Sequence, residues 1–121
     1  MGLGDALIKL GIKYGSEKAV EFSRKISTAI LETAILSSSE LAKESGSFPM
    51  FDAEKTIASS LGQRLPDYIK QSIRINGLRN SQLLTIAPTG TLATMLGISS
   101  GIEPHFALSY TRKTESLHGK D

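Results

Sequence analysis

Leu3, Ala6, Leu7 and Leu10 recur at helical spacing, and Gly11 stands where a left-handed residue would close that helix. After the loop Lys13-Tyr14-Gly15, Ser16 is suited to cap a second helix, with Glu17 and Glu21 near its positive end. Ala19, Phe22, Ile26, Ile30, Ala34 and Leu41 trace an apolar face from there, with Glu17, Lys18, Glu21, Lys25, Glu32, Lys43 and Glu44 largely elsewhere. The pattern predicts one long helix from Ser16 to Ser45, on the order of 45 Å at the standard rise. Its spacing is not a sustained heptad, so packing against a larger body is the expectation rather than a coiled coil. Gly46 stops it, and the two phenylalanines of Ser47-Phe48-Pro49-Met50-Phe51 predict a loop that packs down. Asp52 can cap a short helix through Ile57 and Leu61, ended by Gly62. Pro66 and Asp67 start another, with Leu65, Ile69 and Ile73 on one side and Gly77 just past its end.

The pattern then changes period. Residues 83–86 are a short apolar run that predicts a buried strand, stopped by Pro88, which cannot donate to a sheet ladder. A helix resumes at Thr91 and ends at Gly97; residues 99–104 are turn material, 105–111 alternate as a second strand, and 114–121 read as a frayed tail. Two short strands cannot form a stable sheet alone, so the expected architecture is an α/β body of which this chain is a helix-rich part.

A chain of 121 residues with 40% hydrophobic content supports one domain with a core. The net charge of +2 is unevenly spread: Lys70, Arg74, Arg79, Arg112 and Lys113 face only Glu103 between Tyr68 and Thr114. That imbalance favours an anionic small molecule, while 6% aromatic residues give little for a base-stacking surface, so no nucleic-acid partner is expected. There is no cysteine, which excludes disulfides, thiolate metal sites and thiol chemistry within the chain. No leader and no apolar stretch near the roughly 20 residues of a membrane span is visible, so a cytoplasmic location is expected.

The segment 83–96 carries the candidate chemistry. Thr89 or Thr91 can cap the helix behind Pro88, Gly90 lets the backbone approach a ligand, and amides at a helix start suit an anion such as phosphate. Many strand-to-helix turns of this composition bind nothing, so from the window alone the plain structural reading is preferred to a phosphate site. Elsewhere too the structural reading is preferred. Glu103 has no carboxylate near it in sequence for acid-base work and is expected to hold a turn; His105 and His118 are too isolated for a metal site. No histidine is placed by motif to activate Ser99 or Ser100, and Arg79 and Asn80 are expected to fix the approach to the strand.

Six blocks carry a family resemblance: Gly4-Asp5-Ala6-Leu7-Ile8, Tyr14-Gly15-Ser16, Ser39-Glu40-Leu41-Ala42-Lys43-Glu44 with Gly46 and Pro49, Gly77-Leu78-Arg79-Asn80-Ser81, Ala87-Pro88-Thr89-Gly90-Thr91 and Ser100-Gly101-Ile102-Glu103-Pro104. In their order and spacing, residues 3–113 resemble part of the catalytic large subunit of ribonucleotide reductase. The run from Ile102 to Arg112 is more similar to the adenosylcobalamin-dependent class than to the oxygen-dependent class. The resemblance implies that 1–113 are part of the second half of a ten-stranded α/β barrel, with two short strands, followed by the tail 114–121. It also implies that Pro88, Thr89, Gly90, Thr91 and Leu92 hold the phosphates of a ribonucleoside di- or triphosphate during its conversion to the deoxyribonucleotide. The family's cysteine-bearing finger loop would lie upstream of Met1 and its redox cysteines downstream of Asp121. The isolated chain is accordingly expected to be inactive, to self-associate, and to need the remainder of the reductase or a complementing subunit. Adenosylcobalamin is implied for the intact enzyme and not for this segment. The alternatives are a free-standing nucleotide- or phosphate-binding module and a helical interaction protein without a ligand.

Overall fold

The computed structural model describes residues 1–105, 107 and 109, and the chain divides into two units. Gly15–Ile86 form a central unit, and Met1–Tyr14 join the described part of Ala87–Asp121 in a terminal unit.

In the central unit, Ser16 is extended and its Oγ accepts the Ala19 N–H at 3.2 Å, opening helix α2, Glu17–Ser45, which Gly46 closes at φ 74°. The helix has the predicted length, but its predicted face is buried only in part, with Ala19 fully buried. Ile26, Ile30 and Leu41 are 38%, 51% and 49% exposed, whereas Ile35, Ser38, Ser39 and Ala42 are buried. Small side chains let helix α4, Asp67–Asn76, pack closely on α2, and the serine hydroxyls are satisfied there. Ser39 Oγ lies 3.1 Å from the Ser72 carbonyl oxygen and 2.8 Å from Ser72 Oγ, and Asn76 Nδ2 donates to both hydroxyls at 3.3 Å. A buried hydroxyl with partners costs little, so polarity in the sequence concealed an interior position.

Ile35, Leu65, Ile69, Ile73 and Leu78 form the core, with Phe48, Phe51, Ile57 and Leu83 packed at its edge. The Phe48 and Phe51 rings meet edge to face at 5.4 Å, which accounts for the burial expected of their loop. Helix α3 is shorter than predicted, Ala53–Ala58, and a 3₁₀ turn follows at Gly62–Arg64. The Ser59 hydroxyl ends it, donating to the Thr56 carbonyl at 2.7 Å and accepting the Gly62 N–H at 3.0 Å. Pro66 caps α4 and Gly77, at φ 80°, ends it with its α-carbon so close to Ser47 that a β-carbon would collide with the serine hydroxyl.

No β-strand is present among the described residues, which corrects the short strand predicted at 83–86. The run 83–86 has no ladder partner, and only Leu83 reaches the core; Leu84 and Ile86 are 51% and 70% exposed. An apolar, β-favouring run specifies the propensity for a strand, but the hydrogen bonds that define one must come from a neighbour. The second predicted strand, 105–111, lies largely outside the described residues, and the predicted tail, 114–121, lies wholly outside them.

The terminal unit contains α1, Leu3–Lys9, and α5, Gly90–Leu96. Among its described residues the buried apolar side chains are Leu7, Ile12 and Ala93. Behind α1, Gly11 is left-handed at φ 64° and the Ile12 N–H returns to the Leu7 carbonyl at 2.8 Å.

Candidate functional site: the turn at Pro88–Leu92

Residues 82–89 are irregular backbone that enters α5 at Gly90, one residue earlier than predicted. Thr89 occupies the cap position, but its backbone is left-handed at φ 51°, ψ 28°, and its side chain makes no capping bond. The Thr89 Oγ1 instead accepts the Gly101 N–H at 2.9 Å. A β-branched residue held left-handed costs about 1–3 kcal/mol and persists only where surrounding contacts impose it.

Pro88, Thr91 and Leu92 are exposed, and Thr89 and Gly90 are half-buried, so all five predicted residues form one surface turn. The amides of the first helical turn have no acceptor within α5 by the geometry of any helix start. Ala93 anchors the helix inward, Thr94 Oγ1 donates to the Gly90 carbonyl at 2.9 Å, and Gly97 closes the helix at φ 65°. Lys70, Arg74 and Arg79 belong to the central unit, where Lys70 pairs with Asp67 and Arg74 with Glu54, and Arg112 and Lys113 lie outside the described residues.

The segment carrying Gly101 is fastened to α1 by contacts that the sequence reading did not find. Ser99, buried, accepts the Gly2 N–H on its carbonyl at 2.8 Å and the Gly4 N–H on its hydroxyl at 3.1 Å. Asp5 Oδ2 accepts the Ser99 N–H at 2.6 Å, and Asp5 Oδ1 lies 3.0 Å from His105 Nε2. These contacts, the Ser99 N–H first and then His105, hold the Asp5 carboxyl well below the usual carboxylate range. Gly4 has no room for a side chain, because a β-carbon there would stand 3.0 Å from both Ser99 Oγ and the Glu103 carbonyl oxygen. Ser99 therefore caps a helix rather than serving as a nucleophile. Glu103 closes its turn through its N–H to the Ser100 carbonyl at 3.1 Å, and Tyr14 donates to the Ile102 carbonyl at 2.8 Å. Arg79 and Asn80 fix the backbone of the central unit: the Arg79 N–H donates to the Ser38 carbonyl at 3.0 Å, and Asn80 exchanges bonds with the Ser38 hydroxyl at 3.0 and 3.1 Å.

Among the described residues no group of three or more His, Asp or Glu side chains is placed to hold a metal ion, and no helix is long and apolar enough to cross a membrane. Chemically, then, the site is a surface turn of backbone amides and threonine hydroxyls on a helical scaffold.

The model of the ribonucleotide reductase barrel domain matches residues 1–120, so this chain belongs to the ribonucleotide reductase family. It is 38% identical over 121 residues to a vitamin B12-dependent ribonucleoside-diphosphate reductase of Thermoplasma acidophilum, covering 100% of this chain and 14% of that protein. A vitamin B12-dependent ribonucleoside-diphosphate reductase of Mycobacterium tuberculosis is 36% identical over 118 residues, 98% of this chain and 15% of the relative. A ribonucleoside-diphosphate reductase subunit alpha of Chlamydia pneumoniae is 32% identical over 128 aligned positions, 88% of this chain and 12% of the relative. The chain thus spans about one-seventh of the length of the curated relatives it matches.

Proposed function

We propose that this chain is the substrate-phosphate segment of a ribonucleotide reductase, in which the turn Pro88, Thr89, Gly90, Thr91 and Leu92 receives the di- or triphosphate of a ribonucleotide. The observation that carries this reading is the turn itself: an exposed helix start, led by a proline and two threonines, in a chain of the reductase family. In the complete enzyme the segment would belong to the second half of a ten-stranded α/β barrel. Residues 83–86 would then find their ladder partners in the remainder of the reductase or in a complementing cytoplasmic subunit.

Reduction of a ribonucleotide needs a hydrogen-atom carrier and a two-electron reductant, and a chain without cysteine has no side chain for either task. The isolated chain is therefore inactive on this reading, and its contribution is to bind and orient. The names of the Thermoplasma and Mycobacterium relatives point to adenosylcobalamin as the cofactor of the whole enzyme, where it would supply the initiating radical. A cavity of the terminal unit, about 330 Å³, does not fit that cofactor: it is lined by Leu7, Ile8, Ile12 and Pro104, and its imidazole, His105, already faces Asp5. No step is assigned to this chain through it.

Titration of the ¹⁵N-labelled chain with a ribonucleoside diphosphate tests the proposal. The Thr91 and Leu92 amide signals should move, and Thr89→Asp with Thr91→Asp should abolish the movement, since carboxylates repel phosphate. Undiminished binding by that double variant overturns the assignment.

A further inference from the structure

The run Leu83-Leu84-Thr85-Ile86 at the edge of the central unit has the composition of a strand and no strand beside it. Its neighbours upstream are satisfied: the Arg79 N–H donates to the Ser38 carbonyl and the Asn80 N–H to the Ser38 hydroxyl. Among the described residues, none of the backbone N–H and C=O groups of residues 83–86 has a hydrogen-bond partner, and none of these residues is left-handed. Leu83 packs at the core, and alternate residues of an extended chain share a face, so Leu84 and Ile86 stand together on the other side, both exposed. An apolar groove of about 550 Å³, lined among others by Leu31, Leu61, Leu65, Leu83 and Leu84, opens beside them. Sheet edges that stay single are guarded by charge, above all lysine, or by proline. Here no charged residue stands between Arg79 and Glu103, and the proline, Pro88, comes only after the run has ended.

We propose that residues 83–86 are a docking edge for a second copy of this chain, the two runs pairing antiparallel about a two-fold axis at Thr85. The run is complementary to itself. Centring the pair on Thr85 sets Leu84 of each copy opposite Ile86 of the other, at the mouth of the groove, and Thr85 opposite Thr85, both favourable cross-strand pairs. Centring it on Leu84 instead would set Ile86 against the polar Gln82. Pro88 then fixes which pairs are bonded. Opposite residues of an antiparallel ladder alternate between hydrogen-bonded and non-hydrogen-bonded pairs, and Pro88, facing Gln82 of the second copy, has no N–H to give. Thr85 is three residues away, so the Thr85 pair is the hydrogen-bonded one, and the Leu84–Ile86 pairs are not. A second copy also brings no like charge to this edge, because the run has none. It takes the place that the remainder of the reductase would fill in the complete enzyme, and owes nothing to the phosphate reading.

The test is sedimentation equilibrium of the full 121-residue chain over a concentration series, with amide hydrogen exchange on the same samples. A monomer–dimer equilibrium is expected, in which exchange at Thr85 slows as concentration rises while Leu84 and Ile86 stay fast. Leu84→Lys places a charge from each copy against the other and should weaken the dimer about tenfold or more. Because Leu84 is exposed, protection at Ile73 should be unchanged in that variant, which separates loss of pairing from loss of the fold. The chain has no cysteine, so a single introduced thiol can bridge only to its own copy. Opposite residues of a hydrogen-bonded pair lie about 5.5 Å apart at the α-carbon, within reach of a disulfide. Thr85→Cys should therefore form a covalent dimer under oxidised glutathione, and Ser81→Cys, far from the axis in this register, should not. The Thr85→Cys result stands even if Leu84→Lys fails to fold. A chain that stays monomeric throughout the series overturns the proposal. So does a dimer, or a larger assembly, that a folded Leu84→Lys variant leaves intact, or cross-linking that is no faster at 85 than at 81. No anion is present in any arm, so failure here leaves the phosphate turn untouched.

Discussion

The central and terminal units are held together by different physics. The central unit closes over five buried apolar side chains, Ile35, Leu65, Ile69, Ile73 and Leu78, gathered from helices and the turns between them. Among its described residues the terminal unit buries the apolar side chains of Leu7, Ile12 and Ala93, and it is fastened by directional bonds such as Gly4 to Ser99, 95 residues apart in the chain. Apolar burial tolerates small displacements because it scales with area, whereas a hydrogen bond is lost within a few tenths of an ångström. The contrast places precision in the terminal unit, which carries the turn at Pro88–Leu92, and bulk cohesion in the central one.

The sharpest way to break that contrast is to cut a cavity in the central core. Ile69, 0% exposed, replaced by alanine should cost about 2–5 kcal/mol in denaturant unfolding. Exchange protection should fall at Ile73 and remain at Ile12; equal losses at both would show that the two units do not stand on separate interactions. Next in size, Ser99→Ala removes the acceptor of the Gly4 N–H and should cost about 1–2 kcal/mol, read at Ile12 and Gly101 with Ile73 unchanged.

Acid should then separate the units by degree. Asp5 has a folded-state pKa below its unfolded one, so its contribution is complete above the unfolded value and is lost as pH falls toward the folded value. Asp52 and Glu54 are also lowered, by the Lys55 amide and by Arg74, but Asp5 shows the largest displacement among the described carboxyls. Terminal-unit amides should therefore lose protection steeply between about pH 4 and pH 2, and Asp5→Asn should flatten that slope. An unchanged slope would remove Asp5 from the account. The smallest effect is expected at Lys25, paired with Glu21 at 3.0 Å with both side chains well exposed; Lys25→Ala should leave the unfolding midpoint where it is.

Helix limits were legible because their signals are local. Ser16, Gly46, Asp52, Gly77 and Gly97 act within one turn of where they stand, and each marks the helix end expected of it. The continuous turn from Pro88 to Leu92 was legible for the same reason. The buried face of α2 was not, because Ser38 and Ser39 count as polar until Asn80, Ser72 and Asn76 are seen to satisfy them. The strand at 83–86 failed for a related reason, since its propensity was visible and its missing ladder was not. Thr89 or Thr91 was expected to cap α5 with its hydroxyl, and nothing nearby in sequence indicated that Gly101 would claim the Thr89 oxygen.

Caps, breakers and hydrophobic spacing, all set within a few residues, determined where this protein is helical, and the order of its short blocks determined its family. Tertiary structure alone decided which side of α2 is interior, that Asp5 and Ser99 clasp the start of α1, and how the Thr89 hydroxyl is held. Those outcomes depend on partners up to about a hundred positions away, and a linear pattern records the propensity of each residue but not the group that will meet it.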